Sequence, residues 1–199
     1  MSKVKLTLYI DMDEVICKFL EELCSEYNYK YNKRIKISDI KTWSLNTYMD
    51  GDKAFEIINS PGFFGSLEPI EGAIETIEKL INDRYEVFII SSPSNEYSVY
   101  EKYLWIRKHL PFFDIRNLIL VGNKGELLSR IDTCEDNGNY NVLFDDCPEY
   151  IRRFNGVKVV MNRKYNRDLI VGVDCDFRVK DWDEFYEVVE MVSGKKYWE

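Results

Sequence analysis

Short apolar runs alternate with amphipathic stretches along most of this chain, and that alternation limits what it can fold into. Residues 6–10, 86–90, 118–121, 142–144 and 157–161 are almost continuously apolar. Such runs lack the period-two pattern of a half-exposed strand, so they describe strands buried on both faces, as in a parallel sheet. Between them, apolar residues recur at helical spacing. Ala73, Ile74, Ile77, Leu80 and Ile81 form one such set, and Val99, Tyr103, Ile106 and Leu110, ending before Pro111, form another. Residues 124–131 predict a short helix, Pro148 opens one running to about Phe154, and Phe185, Val188, Val189 and Val192 mark a closing helix. The fold class expected is α/β, a doubly wound parallel sheet with helices on both faces.

One stretch breaks the alternation. After the first run, Phe19, Leu20, Leu23, Cys24 and Tyr27 continue as a helix, but from there to residue 67 the chain is rich in Tyr, Asn, Lys and Asp and shows no strand pattern. We therefore divide the chain into a core of residues 1–16 and 69–199 and a small helical insertion of residues 17–68. The locally basic segment 29–36 is expected to be a solvated face, and the acidic loop 132–141 surface decoration.

Composition excludes several functions. With 27 Lys and Arg against 35 Asp and Glu, the 199-residue chain carries a formal charge of −8, which opposes an extended grip on a nucleic-acid polymer. No apolar stretch reaches membrane-span length, and the Met-Ser-Lys-Val-Lys start has no signal-peptide apolar region, so a cytoplasmic location is expected. The five cysteines, Cys17, Cys24, Cys134, Cys147 and Cys175, form no C-x-x-C pair and are expected to be mostly free thiols. His109 is the only histidine, at a helix end, which disfavours a Ser/His/Asp triad or a histidine metal site. Both a monomer and a homodimer fit the pattern.

The chemistry gathers at the strand ends. Asp11 and Asp13 follow the first run, Ser91 and Ser92 the second, Lys124 comes just beyond the third, and Asp145-Asp146 ends the fourth. Parallel strands share a direction, so these residues converge on one crevice. Four carboxylates so placed need a cation, and an all-oxygen set suits Mg²⁺. A carboxylate nucleophile, an acid/base partner and phosphate-holding Ser and Lys together fit phosphoryl transfer through a covalent intermediate. The bland alternative, two independent helix N-caps, explains neither the lysine nor the serines. Ser92 and Ser94 also suit the turn itself.

Asp11-Met12-Asp13-Glu14-Val15, Ser91-Ser92-Pro93, Lys124 and Asp145-Asp146 resemble, in order, the four motifs of the haloacid dehalogenase (HAD) superfamily of phosphatases. Within it, Phe63-Phe64, Leu67-Glu68-Pro69, Tyr100-Glu101-Lys102-Tyr103 with Trp105, and Phe144-Asp145-Asp146-Cys147-Pro148-Glu149 resemble the 5′(3′)-deoxyribonucleotidases. The resemblance covers most of residues 6–160. It implies Asp11 as nucleophile, Asp13 as general acid/base, and Ser91, Ser92 and Lys124 as phosphate ligands. Mg²⁺ would be held by Asp11, the main-chain carbonyl of Asp13, and Asp145 and Asp146. The insertion would be a cap in which Trp43, Phe63 or Phe64 forms a pocket for the base or sugar of a small nucleotide substrate. Lys102 is either a surface lysine or a supporting contact. Departures lie at Val15-Ile16-Cys17-Lys18 and at Thr42 before Trp43. A phosphatase for sugar phosphates is the nearer alternative, and a phospho-Asp receiver module the more distant one. The receiver scheme has no place for Asp13 beside the nucleophile or for the insertion.

Overall fold

The computed structural model describes residues 5–132 and 140–194. In chain order the elements are β1 (Leu6–Asp11), α1 (Phe19–Tyr31), α2 (Gly51–Ile58), α3 (Phe63–Ser66), α4 (Ala73–Asn82), β2 (Glu86–Ser91) and α5 (Glu96–His109). There follow β3 (Leu118–Leu120), α6 (Lys124–Ser129), β4 (Tyr140–Asp145), α7 (Pro148–Arg153), β5 (Val157–Met161), β6 (Phe177–Val179) and α8 (Trp182–Ser193). The six strands form one sheet in the order β3-β2-β1-β4-β5-β6, and every neighbouring pair is parallel. The order reverses at β1, since the chain builds outward through β2 and β3 and then returns to lay β4 on the other side. That reversal opens a crevice at the strand C-termini.

Register sets which side chains meet there. Asp11 lies opposite Ile90, and Ile10 opposite Phe144. Ser91 and Asp145 are therefore the next residues of their strands, beside Asp11. Burial on both sheet faces explains the continuous apolar runs. On one face Phe144 stacks on Phe185, with centroids 3.9 Å apart and planes at 11°, and meets Trp182 edge-on. On the other, Leu143 packs with Ile90, Leu128, Ile151 and Phe154.

The structure corrects several expectations. The buried face of α5 is Ser98, Lys102, Trp105 and Ile106, whereas Val99 and Tyr103 are exposed. Helical spacing of apolar residues misplaces the face because two of the buried residues are polar or charged. A sixth strand, β6, pairs with β5; its three residues are too short for a sequence pattern. Helix α6 stops at Ser129, short of 131. Of the acidic loop 132–141, residues 133–139 lie outside the described residues, and Cys134 with them. Cys17, Cys24, Cys147 and Cys175 are buried free thiols. His109 ends α5 stacked on Trp105, and burial with the neighbouring Lys108 charge lowers its pKa.

The stretch between β1 and α4 is helical, and its two ends lie side by side. Lys18 N donates to Glu68 O at 2.9 Å and Ile70 N to Ile16 O at 2.8 Å, with Cys17 bridged to Pro69. Helix α5 ties this stretch down: the Glu101 carboxylate accepts from Gly62 N, Phe64 N and Gly65 N at the start of α3, and Trp105 Nε1 donates to Leu67 O. The basic segment 29–36 is solvent-facing at each of its four cations, and Lys30 pairs with Glu56.

Candidate active site

Beyond Asp11 the chain cannot extend, because it folds back on itself: Ile16 N and Cys17 N both donate to Met12 O, and Glu14 takes a left-handed conformation at φ 60°. This turn keeps Asp13 beside Asp11 at the crevice. Asn123 caps α6 by accepting from Glu126 N, which fixes Lys124 as the first helical residue and directs its side chain inward, 1% exposed. Asp145 ends β4, and its Oδ1 accepts from Cys147 N at 2.8 Å, with Pro148 opening α7 directly afterwards.

Lys124 Nζ lies 2.6 Å from Asp145 Oδ2, is hydrogen-bonded to Asp11 Oδ1, and sits 4.9 Å from the centre of the Tyr150 ring. One carboxylate oxygen from each of Asp11, Asp145 and Asp146 falls within 4.8 Å of the others. Such a buried cluster of hard oxygen donors fits Mg²⁺. Burial raises the Asp11 pKa to about 7 against the pull of Lys124, with Asp145 and Asp13 adding to the rise. Burial likewise raises Asp146, reinforced by Asp145 and Asp11. For Lys124 burial opposes the charge, yet Asp11 and Asp145 outweigh it and hold the pKa above the ordinary value. One lysine thus offsets only part of the negative charge, and a bound cation would supply the rest.

The sequence-derived residues divide as follows. Asp11, Asp13, Ser92, Lys124, Asp145 and Asp146 all line one cavity of about 280 Å³. Ser91 lies just behind it, fully buried, and its Oγ has no hydrogen-bond partner among the described residues. A buried hydroxyl without a partner is costly. Trp43 lines the same cavity, as do the apolar Phe19, Leu20, Ile40 and Leu45. Phe63 and Phe64 do not reach the cavity. Both are buried behind Phe19, with ring centroids 5.5 and 6.1 Å from it, and so support the wall from outside.

Three contributors have little sequence signal. Lys102 is fully buried on α5, and its Nζ lies 2.6 Å from both oxygens of Asp13 and 4.2 Å from the Phe64 ring centre. Its place in Tyr100-Glu101-Lys102-Tyr103 was the only hint. Tyr165, in the turn Lys164–Asn166 after β5, donates its hydroxyl to Asp146 Oδ2 and meets Trp43 at 5.4 Å. Arg163 from the same turn donates to Glu14 O at 2.5 Å and pairs with the Glu14 carboxylate at 3.2 Å, bracing the turn that carries Asp13. Neither residue belongs to a periodic pattern.

A reversing parallel sheet with acids at the ends of β1 and β4, a serine after β2 and a buried lysine at the start of α6 defines a hydrolase of the HAD fold. Solved structures share that fold. A Bacillus subtilis chain, YfnB, described as a HAD-hydrolase bound to magnesium, aligns with a TM-score of 0.58 at 13% identity, over 94% of this chain and 99% of that one. A phosphoserine phosphatase, described as a phospho-aspartyl intermediate analogue, aligns at 0.57 and 16% identity, over 96% of this chain and 100% of that one. Within the fold, the chain belongs to the family described as 5′ nucleotidase, deoxy (Pyrimidine), cytosolic type C protein, whose model matches residues 5–197. A 5′(3′)-deoxyribonucleotidase of Clostridium acetobutylicum is 30% identical over 193 residues, covering 95% of this chain and 97% of the relative. The protein is thus a phosphoric monoester hydrolase. Among the described residues no helix is long and apolar enough to cross a membrane.

Proposed function

We propose that this enzyme hydrolyses deoxyribonucleoside monophosphates to nucleoside and phosphate through an aspartyl phosphate on Asp11, with Mg²⁺ as cofactor, in the cytoplasm. The observation that carries this reading is the position of Asp11: it lines the cavity together with Asp13, is bonded to Lys124, and clusters with Asp145 and Asp146. Family membership and the clostridial relative support the nucleotide substrate.

In the first step an Asp11 carboxylate oxygen attacks phosphorus and the bond to the sugar oxygen breaks, while Asp13 gives its proton to that leaving oxygen. In the second, Asp13 takes a proton from water, whose oxygen attacks the phosphorus and releases Asp11 and inorganic phosphate. Lys124 and the Ser91 hydroxyl neutralise and orient the phosphoryl oxygens, with Ser92 at the cavity edge. Lys102 holds Asp13 in place. Asp11, the Asp13 carbonyl, Asp145 and Asp146 would hold Mg²⁺, which supplies charge neutralisation at the phosphoryl group and keeps Asp11 ionised. Residues 17–68 act as the cap over the core of residues 1–16 and 69–199. They supply Trp43 and Phe19 against the base or sugar, with Phe63 and Phe64 behind them.

The test is Mg²⁺-dependent phosphate release from a panel of deoxynucleotides, ribonucleotides, a 3′-monophosphate, a sugar phosphate and an aryl phosphate, run on the unmodified chain and on Asp11→Asn. Preference for deoxynucleotides and a dead, folded variant are expected. Appreciable turnover by Asp11→Asn would falsify the nucleophile assignment, and equal rates on all esters would overturn the substrate class.

A further inference from the structure

The outer side of the Trp43–Tyr165 wall is a second concavity, a groove of about 620 Å³ that shares Thr42, Trp43 and Tyr165 with the catalytic cavity. Its charge runs against the rest of the molecule. In a chain of net charge −8, the groove is lined by Lys41, Arg152, Arg153, Lys164 and Arg167, against only Glu149 and Asp168. Two of the cations are already committed: Arg153 pairs with Glu149 at 2.9 Å, and Arg152 with Asp168 at 2.9 Å and Asp174 at 3.1 Å. The other three are not. Among the described residues, Lys164 Nζ contacts only the neutral carbonyl of Ser38, at 3.1 Å, and Lys41 and Arg167 have no ion-pair partner.

Three cations without a carboxylate partner, on an acidic protein and one aromatic wall away from a phosphate site, form a local anion attractor. Trp43 and Tyr165 line both concavities, so a sugar resting on them with its phosphate at Asp11 would have its other hydroxyl within reach of the groove.

Resting on the nucleotidase reading, we propose that the groove is a subsite for a second phosphate on the same sugar, so that nucleoside 3′,5′-bisphosphates are bound and hydrolysed in preference to monophosphates. The reaction consumes one water and releases inorganic phosphate and a nucleoside monophosphate, by the same attack of Asp11 on phosphorus. The groove cations take no part in bond making. They hold the phosphate that stays.

The experiment compares kcat/KM for a deoxynucleoside 3′,5′-bisphosphate, the matching 5′-monophosphate and a 5′-phosphorylated dinucleotide, in the unmodified chain and in K41Q/R167Q. Exposed cations acting together on a phosphate dianion give a preference on the order of tenfold at low salt, fading at high salt. The expected result is that bisphosphate preference, its loss in K41Q/R167Q, and an unchanged kcat/KM for the monophosphate. A bisphosphate turned over no better than the monophosphate overturns the proposal, as does a preference that survives both substitutions. A gain confined to the dinucleotide also overturns it, since the groove would then serve strand ends. If no nucleotide is hydrolysed, the nucleotidase reading fails, and calorimetric binding of the same ligands to Asp11→Asn with Mg²⁺ judges the groove separately. There, tenfold tighter bisphosphate binding that K41Q/R167Q removes sustains the subsite, and equal binding sinks it.

Discussion

Replacing Lys102 by Met tests whether Asp13 works because it is held. Lys102 Nζ bonds both Asp13 oxygens at 2.6 Å from a fully buried position, whereas the Asp13 side chain keeps 28% of its exposure. Removing one partner of a wholly buried pair costs about 3–5 kcal/mol. Here the released carboxylate can hydrate through the cavity, so the stability loss falls to about 1–2 kcal/mol. Methionine fills the volume beside Phe64 without a charge. The catalytic loss is set by orientation: forfeiting a charge-assisted contact costs about 2 kcal/mol, or ~30-fold in kcat. The assay is steady-state phosphate release at saturating Mg²⁺ for Lys102→Met, Asp13→Asn and the double variant. If Lys102 acts through Asp13, its removal from an Asp13→Asn background costs less than about twofold, because no oriented acid remains to lose. Equal ~30-fold losses in both backgrounds would refute the reasoning and give Lys102 an independent role.

Other outcomes follow from the same geometry. Because the folded-state pKa of Asp11 is raised from 3.8 to about 7, its contribution to stability is complete below the unfolded value and is lost as pH rises through 7. The Tm of EDTA-treated protein should therefore fall between about pH 4 and pH 7, with a shallower fall in Asp11→Asn; an identical slope in the variant would contradict the burial argument. Tyr165→Phe removes the donor to Asp146 Oδ2 and should weaken Mg²⁺ binding about tenfold by calorimetry while sparing kcat at saturating metal. Phe144→Ala deletes a fully buried ring stacked on Phe185 and should cost about 3–5 kcal/mol in urea unfolding, whereas a loss below about 1 kcal/mol would mean that the site repacks.

Much of the fold is readable in the sequence because strands buried on both faces leave an unmistakable text. Residues 6–10 and 157–161 become β1 and β5 almost to the residue. The acids are equally legible, since Asp11 and Asp145 end apolar runs abruptly. What escapes is whatever depends on tertiary contact. Helix α5 turns Lys102 and Ser98 inward because its inner face serves Asp13 and the turn at Asn95, so apolar spacing selects Val99 and Tyr103 instead. Phe63 and Phe64 look like pocket residues because they are aromatic and near the cap entrance, yet Phe19, packed against both, lines the cavity and they do not. Tyr165 lies in an irregular turn where no periodicity speaks, and its role emerges only from its contact with Asp146.

The ends of the helical stretch, joined by the bonds from Lys18 to Glu68 and from Ile70 to Ile16, have a consequence for how such enzymes diversify. A segment that leaves and re-enters the sheet domain through neighbouring residues is modular: its length and content can change while Asp11, Lys124 and Asp145 stay in register. Any replacement must preserve two adjacent attachment points and offer α5 a partner for Glu101. The wall that carries Phe19 and Trp43 can therefore change without disturbing the strand ends that carry Asp11 and Asp145.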